Sequence, residues 1–123
     1  MSNARNLADI NVSTFTGKTI GVDLDTTTTT TLLTNPNGSN KTLRVTGIFV
    51  ANIDGTNAAQ VTMDYYNGTT GFKFASTVNV PANTTIVLLD KNSYLYLEEN
   101  KSIRGGANAT GDLQVVISYE EIS

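Results

Sequence analysis

Apolar residues return at every second position along most of this sequence, in short segments separated by turn-forming residues. No window sustains an apolar period of 3.6 over the ~11 residues of a mean helix. In Lys18 to Asp25, Ile20, Val22 and Leu24 share one face and Thr19, Gly21, Asp23 and Asp25 the other. Leu43 to Ile53 is apolar on both faces in its middle, as expected of the most buried, central strand. Val61, Met63 and Tyr65 alternate with Thr62, Asp64 and Tyr66. Phe72, Phe74, Ser76, Val78 and Val80 then oppose Lys73, Ala75, Thr77 and Asn79, and Leu113, Val115, Ile117 and Tyr119 oppose Gln114, Val116, Ser118 and Glu120. Thr84 to Leu89 and Tyr94 to Leu97 are short apolar runs, and the threonine run Thr26 to Thr31 reads as a strand leading into Leu32-Leu33.

Between the segments lie concentrated turn signals. Asn35 to Asn40 contains Asn37-Gly38, which suits a hairpin; Asp54 to Asn57, Asn67 to Gly71, Pro81 to Asn83 and Gly105-Gly106 read as further turns or bends. About eight strands at this spacing predict an all-β fold, an antiparallel β-sandwich of jelly-roll or related Greek-key order. Phe49, Val50, Phe74, Leu88, Val115 and Ile117 are the expected core. The length fits one domain, read as an N-terminal arm over residues 1–17 followed by the sandwich over 18–123.

Composition narrows the chemistry. Histidine and cysteine are both absent, which removes the usual neutral-pH base, the thiol nucleophile, disulfides and the commonest zinc ligands. The carboxylate pairs Glu98-Glu99, Glu120-Glu121 and Asp23/Asp25 read as solvated turn and strand-end charges, because neighbours on a strand point to opposite faces. Asp54, Asp64, Asp90 and Asp112 lie near expected turns without a calcium-loop pattern, so Asx-turn capping is their expected role. No catalytic, cofactor or metal residue is expected. The eight Lys plus Arg are scattered and the net charge is -3, so nucleic acid is not an expected partner. No apolar stretch approaches the ~20 residues of a membrane-spanning helix and no signal-peptide core is present, so the expectation is a soluble protein made in a cytoplasm. Only 15% of the residues are charged, with Thr, Asn, Ser and Gly filling the surface, which suits packing against other proteins.

Two stretches carry a resemblance. Ser2-Asn3-Ala4-Arg5-Asn6-Leu7-Ala8-Asp9 resembles a leader on tail-fibre and virion proteins of tailed phages, particularly those infecting marine bacteria and cyanobacteria. Ala75 to Thr85, Tyr96 to Ile103 and Val116 to Ile122 resemble small β-rich proteins encoded among the same particle genes, with Glu99-Asn100-Lys101 standing where a Glu-Gly-Asp turn is expected. The resemblance implies a particle component, on the head, the tail or a fibre, and the leading expectation is a non-enzymatic capsid decoration or cement protein on the particle surface. With that expectation goes a homo-oligomer whose partner is the major capsid protein or another virion protein. The alternative is a tail-, fibre- or knob-associated module that adheres to a host surface or glycan. Leu7, Ile10, Val12 and Phe15 on the arm, and the exposed tyrosine Tyr66, are the expected protein-interface residues.

Overall fold

The computed structural model describes residues 14–24 and 27–123. Among them run nine strands: β1 (Phe15–Leu24), β2 (Thr30–Asn35), β3 (Thr42–Asn52), β4 (Ala59–Tyr66), β5 (Gly71–Val80), β6 (Thr85–Leu89), β7 (Leu95–Leu97), β8 (Lys101–Ala107) and β9 (Leu113–Ile122). All pairings are antiparallel. One sheet has the order β1-β9-β3-β6, with β7 also paired to β3, and the other β2-β8-β4-β5. Strands β6 and β7 pair with successive parts of β3, Phe49 to Ala51 with Val87 to Thr85 and Leu43 to Val45 with Leu97 to Leu95, so they act as one interrupted strand. With that union, β1·β9, β2·β8, β3·β6/β7 and β4·β5 nest as a single long hairpin rolled onto itself. That is the jelly-roll arrangement of the β-sandwich.

The core lies between the sheets. Val45, Ile48, Val50, Val61, Met63, Val80, Leu97, Ile103, Val115 and Ile117 are all fully enclosed. The alternation of β1 and β9 holds as read, with Leu24, Leu113, Val115, Ile117 and Tyr119 buried and Ile20 and Val22 packed at the margin. β3 is the central buried strand.

Two expected core residues turn outward, and bulges are the reason. The β3·β9 ladder slips between Val45 and Gly47, where Thr46 is an extra residue on β3, and this switches the inward set from Leu43 and Val45 to Ile48 and Val50. Phe49 is therefore on the outer face. In β5, Met63 faces Ala75 while Asp64 faces Lys73, so Phe74 is an extra residue without a cross-strand partner, and Ala75 takes the core place. Leu88 is half-buried against the core margin.

Other differences follow from connectivity. The turn at Asn37-Gly38 closes no hairpin, because β2 and β3 belong to different sheets. The buried side chain of Asn35 fastens that corner by donating to the Lys41 and Leu97 carbonyls, both within 2.9 Å. Asn52 does the same at the β3–β4 corner, donating to the Asn57 and Val80 carbonyls at 2.9 Å each. The true hairpin is β4–β5, where the Asn67 carboxamide oxygen accepts from the Thr69 and Thr70 amides. Only Thr30 and Thr31 of the threonine run belong to β2; Thr27 to Thr29 lie before the strand. Gly105 and Gly106 are not turn glycines but lie inside β8. A Cβ on Gly105 would stand 3.0 Å from both Leu32 Cδ1 and Met63 Cγ, and one on Gly106 would stand 3.0 Å from the Thr28 carbonyl oxygen.

Candidate functional site

Each sheet presents an outer face, and the two differ in chemistry. On the five-stranded sheet, Gly21 aligns with Val116, Val116 with Phe49, and Phe49 with Val87, which makes one row across four strands. Val116, Phe49 and Val87 are 41%, 38% and 54% exposed. The Phe49 ring lies over Gly47, where a Cβ would stand 3.1 Å from the ring edge. Gly21 leaves a hollow of about 270 Å³ beside Val116.

Polar pairs flank the row: Thr19 with Ser118 at 3.2 Å on one side, and Gln114 donating to Asp23 at 2.9 Å on the other. Farther along β3, Arg44 meets Glu120 at 3.5 Å and lies 4.3 Å from the Tyr94 ring centroid. Tyr94 in turn packs edge-on to Tyr96 at 5.4 Å. Four strands at ~4.8 Å spacing and about ten residues at ~3.3 Å rise give a face of roughly 600 Å², close to the ~800 Å² each partner gives to a standard interface. β1 forms one edge of this sheet, and most of its residues are exposed.

The outer face of the four-stranded sheet is polar. Thr31, Arg104, Asp64 and Lys73 form a row across all four strands. Arg104 donates to both Asp64 oxygens, from Nε at 2.9 Å and from Nη2 at 2.7 Å, and stacks 4.0 Å from the Tyr66 ring centroid. The hydrogen bond to Asp64 raises the Arg104 pKa further above its already high ordinary value. Gly71, opposite Tyr66, leaves room for the pair, since a Cβ there would overlap both Arg104 Nη2 and Asp64 Oδ2. Beyond this row is a hollow of about 260 Å³ lined by Thr27, Thr29, Gln60, Thr62, Lys73, Thr77, Gly106, Ala107 and Asn108. Thr77 has φ +47°, a left-handed conformation that costs a β-branched residue on the order of 1–3 kcal/mol. Its amide, displaced from the ladder by the β5 bulge, donates to Thr62 Oγ1 at 3.0 Å.

The sequence-derived interface residues do not gather in one place. Leu7, Ile10 and Val12 lie outside the described residues, as does Asp25. Phe15 opens β1, 55% exposed and opposite Ile122, so residues 15–17 of the expected arm are paired with β9. Tyr66 lies on the other sheet beneath Arg104. Beside Phe15, Thr14 and Ser123 exchange backbone hydrogen bonds at 3.3 and 3.1 Å, so the chain enters β1 next to its last residue.

The carboxylates have structural employment. Glu99 accepts from the Gly38 and Asn40 amides at 2.9 Å each, and Glu121 bridges Lys41 and Lys18 at 3.1 and 3.3 Å. Asp54 and Asp90 form the expected Asx turns, accepting from Thr56 and Asn92 at 2.8 and 2.9 Å. The Thr56 and Asn57 amides hold the Asp54 carboxyl below its ordinary range. Asp64, by contrast, is no turn residue but a mid-strand partner of Arg104. A wide hollow of about 610 Å³ at the β9 end has Glu98 and Glu99 on its wall, the latter already committed to the Gly38–Asn40 turn.

Val87, Val116, Thr77 and the Asp64–Arg104 pair escaped the sequence reading. Val116 carried a legible signal, a valine among Gln114, Ser118 and Glu120 on the polar face of an amphipathic strand. The molecule is thus a jelly-roll β-sandwich with one apolar-striped and one hydroxyl-rich outer face. Compared with models of known protein families the chain matches none, and no curated protein matches it.

Proposed function

We propose that this chain is a non-enzymatic virion structural protein, a capsid decoration or cement protein that seats the outer face of its five-stranded sheet on a neighbouring particle subunit. The observation that carries the reading is the row Val116–Phe49–Val87, apolar and exposed across the middle of a face of interface size. The resemblance of both chain ends to phage particle proteins supplies the setting. The engagement of Glu99, Glu120 and Glu121 with amides and basic groups supports a structural role over a catalytic one.

The mechanism is mechanical. A protein that binds the assembled shell and not its dissociated subunits stabilises the shell by linkage, about 2.7 kcal/mol per site at a free concentration of ~100 Kd. The segment ahead of β1, with Leu7, Ile10 and Val12, adds apolar anchors for a neighbouring subunit in a symmetric oligomer. The alternative, a tail-, fibre- or knob-associated adhesion module, draws support from the polar hollow on the opposite sheet. Counting copies per particle by quantitative mass spectrometry separates the two. Hundreds of copies are the expected result for a head protein, and a few or tens would transfer the chain to the tail.

A further inference from the structure

We propose that the hollow over Gly106 binds one acidic sugar residue of a surface polysaccharide, with Lys73 receiving its carboxylate and the surrounding hydroxyl and amide side chains its ring oxygens. The inference stands on the four-stranded sheet alone and does not depend on what the other sheet docks against.

The shape comes first. Gly106 lies in β8, beside β4, and the Thr28 carbonyl oxygen stands 3.0 Å from where its Cβ would be, so backbone of Gly106 and of the Thr28–Thr29 segment forms this part of the wall. Side chains complete the hollow around that backbone: Thr27 and Thr29 line it, as do Lys73 and Thr77 from β5 and Gln60 from β4. A volume of about 260 Å³ is under the ~300 Å³ at which pockets for drug-sized ligands begin, and it matches a single ring.

The donors come next. Lys73 stands directly across from Asp64, yet both Asp64 oxygens are taken by Arg104, and Lys73 makes no ion pair among the described residues. Its cross-strand acid is withdrawn from it. Thr62 Oγ1 already accepts from the Thr77 amide, which leaves its hydroxyl proton to donate. Asn108 Oδ1 already accepts from the Gln60 amide at 2.8 Å, which leaves its side-chain NH₂ to donate. An ammonium, a hydroxyl and an amide thus surround one hollow as donors, with two of the three oriented by backbone groups. The complementary ligand is rich in acceptors and carries one negative charge. An apolar peptide finds nothing to cover here, and a bare phosphate would leave most of the volume unfilled. The left-handed Thr77 at the wall fits this reading, since strained backbone of this kind gathers at binding sites.

The test is a ¹⁵N NMR titration of the full chain with three separate probes: glucuronate, glucose and inorganic phosphate. Glucuronate is expected to shift the Thr62, Thr77 and Gly106 amides with a Kd of about 1 mM, in keeping with the efficiency limit for a ligand this small. Lys73→Gln is expected to weaken glucuronate about tenfold, the value of one charge-assisted contact, and to leave the melting temperature unchanged. Glucose should bind about as weakly to the parent as glucuronate does to K73Q. Absence of shifts, shifts clustered elsewhere, glucose binding as tightly as glucuronate, or phosphate binding more tightly would each overturn the proposal. No particle enters this experiment, so its failure leaves the docking reading where it stands.

Discussion

Replacing Gly71 by alanine tests the reasoning about the outer ion pair most sharply, because backbone and side-chain effects separate there. Gly71 is not among the glycines with positive φ, so alanine meets no conformational penalty. The lost backbone freedom of the unfolded chain favours the variant by about 0.4–1 kcal/mol. Against this, the new Cβ would overlap Arg104 Nη2 and Asp64 Oδ2 and stand 3.0 Å from Asp64 Cγ. The bidentate pair must open, and the Asp64 side chain is only 8% exposed, so water compensates poorly. Losing one or both charged hydrogen bonds costs about 1.5–3 kcal/mol. The net expectation is a loss of about 0.5–2.5 kcal/mol, read as roughly 2–12 °C in Tm for a domain of this size. Urea denaturation gives the free energy directly. In a background carrying Asp64→Ala and Arg104→Ala the same substitution should be neutral or stabilising, since nothing remains to displace. A loss under ~0.5 kcal/mol in the parent, or an equal loss in both backgrounds, would refute the reasoning.

Three further outcomes are expected. Ile48→Ala should cost about 2–5 kcal/mol while Phe74→Ala costs under about 1 kcal/mol, because Ile48 is fully enclosed and Phe74 is 36% exposed without a cross-strand partner; urea denaturation checks both. Hydrogen bonding from Lys41, with Lys18 assisting, holds the Glu121 carboxyl below its ordinary 4.5. The folded state therefore binds fewer protons there, and the stability it adds is complete above the unfolded pKa and lost as pH falls through the folded one. Glu121→Gln should remove that part of the acid-side decline in Tm, about 0.2–1 kcal/mol for pairs of this exposure. Deleting residues 1–13, which precede the Thr14–Ser123 contact, should leave the thermal melting of the sandwich unchanged and weaken its binding to purified particles.

The fold was largely legible because alternation, turn residues and β-branched content agreed along most of the chain. What stayed hidden was the effect of insertions that a period-two reading does not detect. One extra residue in β5 sends Phe74 outward and Ala75 inward, and the extra Thr46 in β3 places Phe49 on the surface. Gly105-Gly106 looked like a turn because glycine serves both turns and close strand approach, and only the neighbours Leu32, Met63 and Thr28 distinguish the two. Asn35 read as a turn residue and Asn52 as part of the central strand, yet the side chains of both fasten the corners where the chain passes between sheets. The Arg104–Asp64 pair joins residues 40 positions apart, a juxtaposition created by the β4·β8 ladder.

The five-stranded sheet is proposed to dock through the Val116–Phe49–Val87 row. Co-sedimentation of the purified chain with particles lacking it tests this directly when the parent is compared with Val116→Glu. Val116 is 41% exposed, so the substitution should leave the melting temperature of the free protein nearly unchanged. Buried in a docked face, the new carboxylate would lack a partner at a cost of about 2 kcal/mol or more, so binding should fall at least ~30-fold. Particle binding that persists at the parent affinity would contradict the account.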